Sequence, residues 1–230
     1  MRFSLNRAGI IRFLVAGMAV VVVAHVVTQT ISLLTGRDVM MGFIPLFNMN
    51  AEANIPSLFS TLLLLIASGL LLANASLYRA GEQWFVKYWI FLAAIFGFLA
   101  IDELSALHER WTGPMRGAFG AEGLLYFAWV IPYAVILLVI GVLLLRFLLR
   151  LDRKIARGFV VAGVVYISGA VGMEMLGGLE AFSSGQSTVT FVLLSTVEEI
   201  MEISGVILFI DYILRDIFTR TDGLGISVAG

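Results

Sequence analysis

Six apolar segments, each close to the length that crosses a bilayer, constrain this chain more than any other feature: residues 11–34, 57–78, 88–107, 124–149, 159–179 and 189–214. A backbone in lipid has no water to bond, so only helices and closed barrels satisfy its polar groups, and runs of this length predict helices. Hydrophobic residues make up 60% of the chain and charged ones 13%, against about 25% charged in soluble domains. The expected fold is therefore an all-α polytopic membrane helix bundle of six helices, one membrane domain over residues 1–230. Turn and polar clusters at Gly36-Arg37-Asp38, Gly81-Glu82-Gln83, Thr112-Gly113-Pro114, Asp152-Arg153-Lys154 and Ser183-Ser184-Gly185 separate the segments. The first run follows Arg2, Arg7 and Arg12 but is too long for a signal-peptide core, and predicts a retained helix.

Orientation follows from the basic residues. With the N-terminus inside, Arg2, Arg7, Arg12, Arg79, Lys87, Arg146, Arg150, Arg153, Lys154, Arg157, Arg215 and Arg220 all fall on the cytoplasmic side. Only Arg37, Arg110 and Arg116 of the 15 basic residues fall outside. That asymmetry predicts cytoplasmic termini in a cell inner (plasma) membrane. The net charge of −1, without a basic patch, excludes a nucleic-acid partner, leaving the lipid bilayer and a lipid or ion ligand. The absence of cysteine excludes disulfides, thiolate metal sites, cysteine nucleophiles and covalent haem attachment.

Residues 96–110, FGFLAIDELSALHER, gather Asp102, Glu103, His108 and Glu109 at the end of an apolar run. A charge within a bilayer costs at least about 2.5 kcal/mol, so such residues point to function. At about 1.5 Å per helical residue, His25, Asp102, Glu103, Glu174, Glu198 and Glu199 lie roughly 9–15 Å below the outer surface. Structural charges scattered over four helices have no reason to share one depth. Faces agree: His25, Thr28, Gln29 and Ser32 form one stripe, while Ser195, Glu198, Glu199 and Glu202 form another. In the third segment Asp102, Ser105 and Glu109 align at i, i+3 and i+7, with Glu103 and His108 to either side.

Carboxylates with imidazole suit a divalent metal such as zinc, iron or manganese. The candidate ligands are His25, Glu103, His108, Glu174, Glu198, Glu199 and Glu202, and the candidate catalytic groups are Asp102, Glu103 and Glu199. The di-iron signature Glu-x-x-His is absent, since Ser105 stands three before His108. Glu198-Glu199 resembles the glutamate pair of membrane proteases that cleave prenylated proteins. Ile203 stands where that motif has Arg, however, and both histidines lie upstream, which excludes it. Haem between His25 and His108 is disfavoured by a depth difference of about 8–12 Å.

Other features have plainer expected roles. Gly158, Ala162, Gly169 and Gly172 suggest a small-residue ridge for close helix packing. Tyr126, Trp129 and Tyr133 read as an interfacial belt and Pro132 as a kink. Loop 36–56, too long for a bare connection, reads as a segment on the outer face, with Glu52 and Asn54 near the site and Pro56-Ser57 starting a helix. Asp211 and Asp216 are expected to meet Arg215 or water, Glu122 and Glu180 to be solvated, and Met40, Met41 and Met49 to be interfacial hydrophobes.

Residues 47–60 (FNMNAEANIPSLFS), 101–109 (IDELSALHE) and 198–202 (EEIME) resemble an uncharacterised family of bacterial multipass membrane proteins. The resemblance covers most of the chain and implies a six-helix bacterial membrane protein, without an activity. Three functions follow from the residues themselves. The first is a metal or acid/base enzyme facing the outer leaflet. The second is a proton- or cation-coupled transporter or channel, disfavoured by the thin polar content of the inner half. The third is an accessory or assembly subunit, for which an acidic cluster with few basic partners is poor glue.

Overall fold

Local chemistry sets where each helix starts and stops. In the computed structural model, which describes residues 2–4, 6–78, 83–221 and 225–227, α1 (Arg7–Thr35) is capped by Asn6, whose side chain accepts the Ala8 N–H at 3.0 Å. Gly36 ends it in the left-handed conformation at φ 65°. Loop 36–56 then folds back as a single 3-10 turn, Met40–Gly42, and a one-turn helix α2 (Phe43–Leu46) that buries Ile44; Met49 beyond it is buried too. Asn54 and Ser57 bond reciprocally at 3.1 and 2.9 Å to start α3 (Ile55–Tyr78), with Pro56 in its first turn. The expected turn at Gly81-Glu82 and the basic residue Arg79 lie outside the described residues.

The third predicted helix does not run on through His108. Helix α4 (Gln83–Ser105) stops at Ala106, held in the left-handed region at φ 50°, and α5 (Leu107–Phe119) leaves in a new direction. Asp102 Oδ1 accepts the His108 N–H at 2.8 Å across this corner, which satisfies a free donor at the start of α5. The common face expected for Asp102, Ser105 and Glu109 is therefore broken. The turn expected at Thr112-Gly113-Pro114 is also overturned, because these residues lie inside α5. The helix buries none of its residues, so water can serve the carbonyl that Pro114 leaves unpaired.

Helix α6 (Val130–Arg150) has Pro132 in its first turn, where proline's missing N–H costs nothing, so the expected mid-helix kink is absent. Asp152 accepts the N–H groups of Lys154 and Ile155 at 2.9 and 3.3 Å and starts α7 (Arg153–Ile167). A π-helical turn, Ser168–Met173, joins α7 to α8 (Glu174–Ser184) without interruption, and α9 (Val189–Thr221) completes the bundle. Among the described residues the fold is all-α apart from a three-residue ribbon in which β1 (Arg2–Ser4) pairs antiparallel with β2 (Gly225–Ser227).

Among the described residues, five helices are long and apolar enough to cross a membrane: α1, α3, α4, α6 and the continuous α7–α8. The 33-residue α9 is longer still, but it carries Glu198, Glu199, Glu202 and Asp211. It packs against α1, α3 and α7. The small-residue ridge on α7 serves that packing. A Cβ on Gly169 would lie 2.8 Å from the Glu198 carbonyl, and one on Gly158 would enter the Tyr212 ring, whereas Gly172 faces open space. Gly205 of α9 reciprocates, its position lying 2.8 Å from the Tyr166 backbone. At the end of the bundle where α3 and α9 finish, Asp216 is buried rather than solvated. It accepts from Asn74 Nδ2 at 2.9 Å and the Tyr78 hydroxyl at 3.1 Å, and pairs with Arg220 at 3.5 Å. Asp211 pairs with Arg7, not Arg215, at 3.5 Å.

Among the membrane-length helices of the described residues, α6 is the least closely packed. Of its side chains only Val130 and Phe147, near its two ends, are buried. Phe147 is held in an aromatic cluster with Trp89 at 5.0 Å, and Phe159 packs on Trp89 and Phe209 at 5.9 and 4.4 Å. Between those anchor points α6 stands away from α4, α7 and α9.

Candidate functional site

The space behind α6 is a cavity of about 840 Å³, within the range of ligand sites. Its two ends differ in chemistry. One is walled by Leu92, Leu144, Phe147, Leu148, Phe159 and Phe209, all apolar. The other receives Glu52 from the loop, Asp102 and Glu103 from α4, His108 from α5, and Glu198, Glu199 and Glu202 from α9. Burial of α9 requires its carboxylates to face inward, and the α4–α5 corner turns His108 back over them.

His108 is the best-defined member. Its Nδ1 lies 3.4 Å from Asp102 Oδ2 and its Nε2 lies 3.9 Å from Glu52 Oε1. The Tyr133 hydroxyl donates to Asp102 Oδ2 at 3.2 Å, and the Trp129 ring packs on the imidazole at 4.8 Å. Asp102 thus holds Nδ1–H and leaves Nε2 directed at Glu52. Burial opposes the imidazolium, but the Asp102 hydrogen bond and charge, with Glu52 and Glu109 beyond, outweigh it and raise His108 to about 9. Burial, then the charge of Glu103, pushes the Glu52 carboxyl up to about 8 against the pull of His108. Glu52 Oε2 is buried and has no hydrogen-bond partner among the described residues.

Among the described residues, Glu52, His108 and Glu109 each offer a ligand atom within 4.8 Å of the others, enough for a three-ligand metal centre. Asp102 would stand behind the histidine, as carboxylates commonly do at metal sites. Of the residues singled out from sequence, Asp102, Glu103, His108, Glu198, Glu199 and Glu202 line the one cavity. Glu174 stands just outside it, accepting the Trp129 Nε1–H at 2.7 Å. His25 is elsewhere and fully used: Nδ1 accepts the Met49 N–H at 3.0 Å, and Nε2 bonds the Thr196 hydroxyl at 2.9 Å. It ties loop 36–56 to α1 and α9.

Several site residues were not legible as such. Trp129 and Tyr133 read as belt aromatics, yet they bond Glu174 and Asp102; their i, i+4 spacing, which puts both on one helix face, was the available signal. Tyr166 lines both the cavity and a small space shared with Glu103 and Glu202, and nothing in the sequence marks it.

The comparisons with known proteins now bear on this arrangement. Residues 13–217 match a domain of unknown function, DUF8692. The chain belongs to that family. The match runs from within α1 to within α9, so every residue that lines the DUF8692 cavity, from Glu52 to Phe209, lies inside it. No curated protein and no solved structure matches the chain. The membership agrees with the resemblance to an uncharacterised family and adds no activity, so function rests on the site.

Proposed function

We propose that this chain is a metal-dependent enzyme of the bacterial inner membrane, acting on a substrate that reaches its cavity from the outer leaflet. One observation carries the reading: carboxylates from α4, α9 and the loop meet an Asp-oriented histidine at one end of a ligand-sized cavity. Glu52, His108 and Glu109 would hold the ion, and three protein ligands leave a coordination position for substrate or water. The ion would supply Lewis acidity. Glu103 and Glu199 would serve as acid and base toward the bound substrate, and Asp102 would position His108.

The cluster's charge supports a cation. Every ion pair the described residues make with Lys or Arg lies elsewhere, at Asp211 and Asp216, so His108 is the only basic partner of these carboxylates. Two anions about 4 Å apart repel by about 4 kcal/mol at an effective dielectric constant near 20. A helix glue would not leave such charges uncompensated. A through-path for ions is disfavoured by the other end of the cavity, where Val206, Phe209, Phe147 and Leu148 offer no polar atom to a solute.

Elemental analysis of purified protein tests the reading. The expected result is one divalent ion per chain, lost in His108→Ala and in Glu52→Gln. A metal-free wild type, together with proton uptake into proteoliposomes that Glu199→Gln abolishes, would replace it with transport.

The proposed topology is a single membrane domain of six crossings, α9 being the sixth, with both termini cytoplasmic. The pairing of β1 with β2 and the Arg7–Asp211 contact, which bring the chain's two ends together, support an even number of crossings. The chain has no cysteine, so single replacements report cleanly. Lys154→Cys is expected to react with a membrane-impermeant maleimide only from the cytoplasmic side, and Ser187→Cys only from the outside. The reverse pattern would invert the orientation, and labelling of both from one side would break the crossing count.

A further inference from the structure

The cavity's shape and charge identify a class of guest. Along α6 its lining runs from Tyr133 to Leu148, and along α4 from Glu103 back to Leu92, or about 16–22 Å at 1.5 Å per residue. One leaflet of a bilayer core is about 15 Å deep, so the apolar part accommodates a hydrocarbon tail lying along the bundle. The walls also open sideways. Phe98 of α4, Ile136 of α6 and Ile167 of α7 line the cavity yet are 50%, 52% and 39% exposed, so the seams on both sides of α6 join the cavity to the surrounding lipid phase.

The polar end decides the head group. Among the described residues, six carboxylates line the cavity and no Lys or Arg does. A phosphate or carboxylate head would find the one basic side chain there, His108, already facing Asp102 and Glu52, and beyond it only the carboxylates of Glu103, Glu198, Glu199 and Glu202. An ammonium meets the opposite: Glu198, Glu199 and Glu202 line the same cavity as Trp129, Trp111 and Tyr133, and carboxylates with aromatic rings are the groups that recognise organic cations. We propose that the guest is a single-chain amphiphile with a basic amine head and no phosphate, entering from the membrane between α6 and its neighbours. This rests on the enzyme reading above for its role as substrate, while its binding stands apart from the metal.

Binding can be read in phosphatidylcholine nanodiscs by quenching of tryptophan fluorescence with head-proximally brominated hexadecylamine. The same-length alcohol and alkyl phosphate serve as competitors. Saturable quenching is expected, with the alcohol and the phosphate each competing at least tenfold more weakly than unlabelled hexadecylamine. Gly163 lines the middle of the cavity and a Cβ there meets nothing within 4 Å, so Gly163→Leu fills the tail slot without touching the head site. It is expected to weaken amine binding at least tenfold and leave metal content unchanged, with Gly163→Ala intermediate. Glu199→Gln is expected to reduce the preference for amine over alcohol. Equal competition by the phosphate, or unaltered affinity in a folded Gly163→Leu chain, would overturn the proposal. Amine binding by a metal-free wild type would support this proposal and refute the metal reading. Metal binding without amine preference would refute only this one.

Discussion

An Asp102→Asn chain is expected to fold and to bind its metal about 10–100-fold more weakly, the usual penalty for losing the carboxylate behind a ligating histidine. The asparagine oxygen can keep the bond to the His108 N–H, now 2.8 Å long, and so preserve the corner between α4 and α5. Its NH2 group then faces His108 Nδ1 and favours the tautomer with the proton on Nε2, the nitrogen directed at Glu52. Reversing the amide restores Nδ1–H but turns donor against donor at the helix start. Isothermal titration with zinc or manganese on the metal-stripped protein, beside a thermal melt, separates the two roles. Unchanged affinity with a lowered melting temperature would make Asp102 a corner brace and nothing more.

At the opposite end of the bundle, Asp216→Ala is expected to destabilise the fold by about 3 kcal/mol, the lower end for breaking a buried ion pair because Arg220 is partly exposed. Ordinary hydrogen bonds between membrane helices contribute only about 0.6 kcal/mol each, so a loss of that size would identify the charge as the source. The replacement strands two buried donors, Asn74 Nδ2 and the Tyr78 hydroxyl, and removes the counter-charge of Arg220, which keeps its hydrogen bond to the Tyr78 hydroxyl. Asp216→Asn, which retains an acceptor, should lose less. Equilibrium unfolding in mixed SDS and detergent micelles measures both, and a cost near 0.6 kcal/mol for the alanine variant would show that water replaces the carboxylate without difficulty.

The residues legible in the sequence were those whose cost could not be hidden. Glu198, Glu199 and Glu202 stand in a segment otherwise fit for lipid, so their inward direction followed from solvation alone, as did the helices that carry them. The break at Ala106 was not legible. Ser-Ala-Leu-His contains neither glycine nor proline, and the left-handed residue there depends on Asp102 reaching across to His108, a contact made only in the folded corner. Thr112-Gly113-Pro114 erred the other way, because breakers act through lost backbone bonds and a helix that buries none of its residues can return those bonds to solvent. His25 shared the depth and the face of a ligand. What removed it from the site was loop 36–56, whose Met49 amide takes the ring nitrogen a metal would need, and a loop's path carries no periodicity to read.

Helix α6, buried only at Val130 and Phe147 and tied to α4 near its first turn by the Tyr133–Asp102 hydrogen bond, gives the cavity one loosely packed side. A span held near its ends bows more readily than one interlocked along its length, so guests of the proposed kind that differ in girth or branching would share the same berth with little penalty. Discrimination then falls to the carboxylates and aromatic rings at the rigid end, and the protein would sort its ligands by what they carry at the head while tolerating variety in what trails behind.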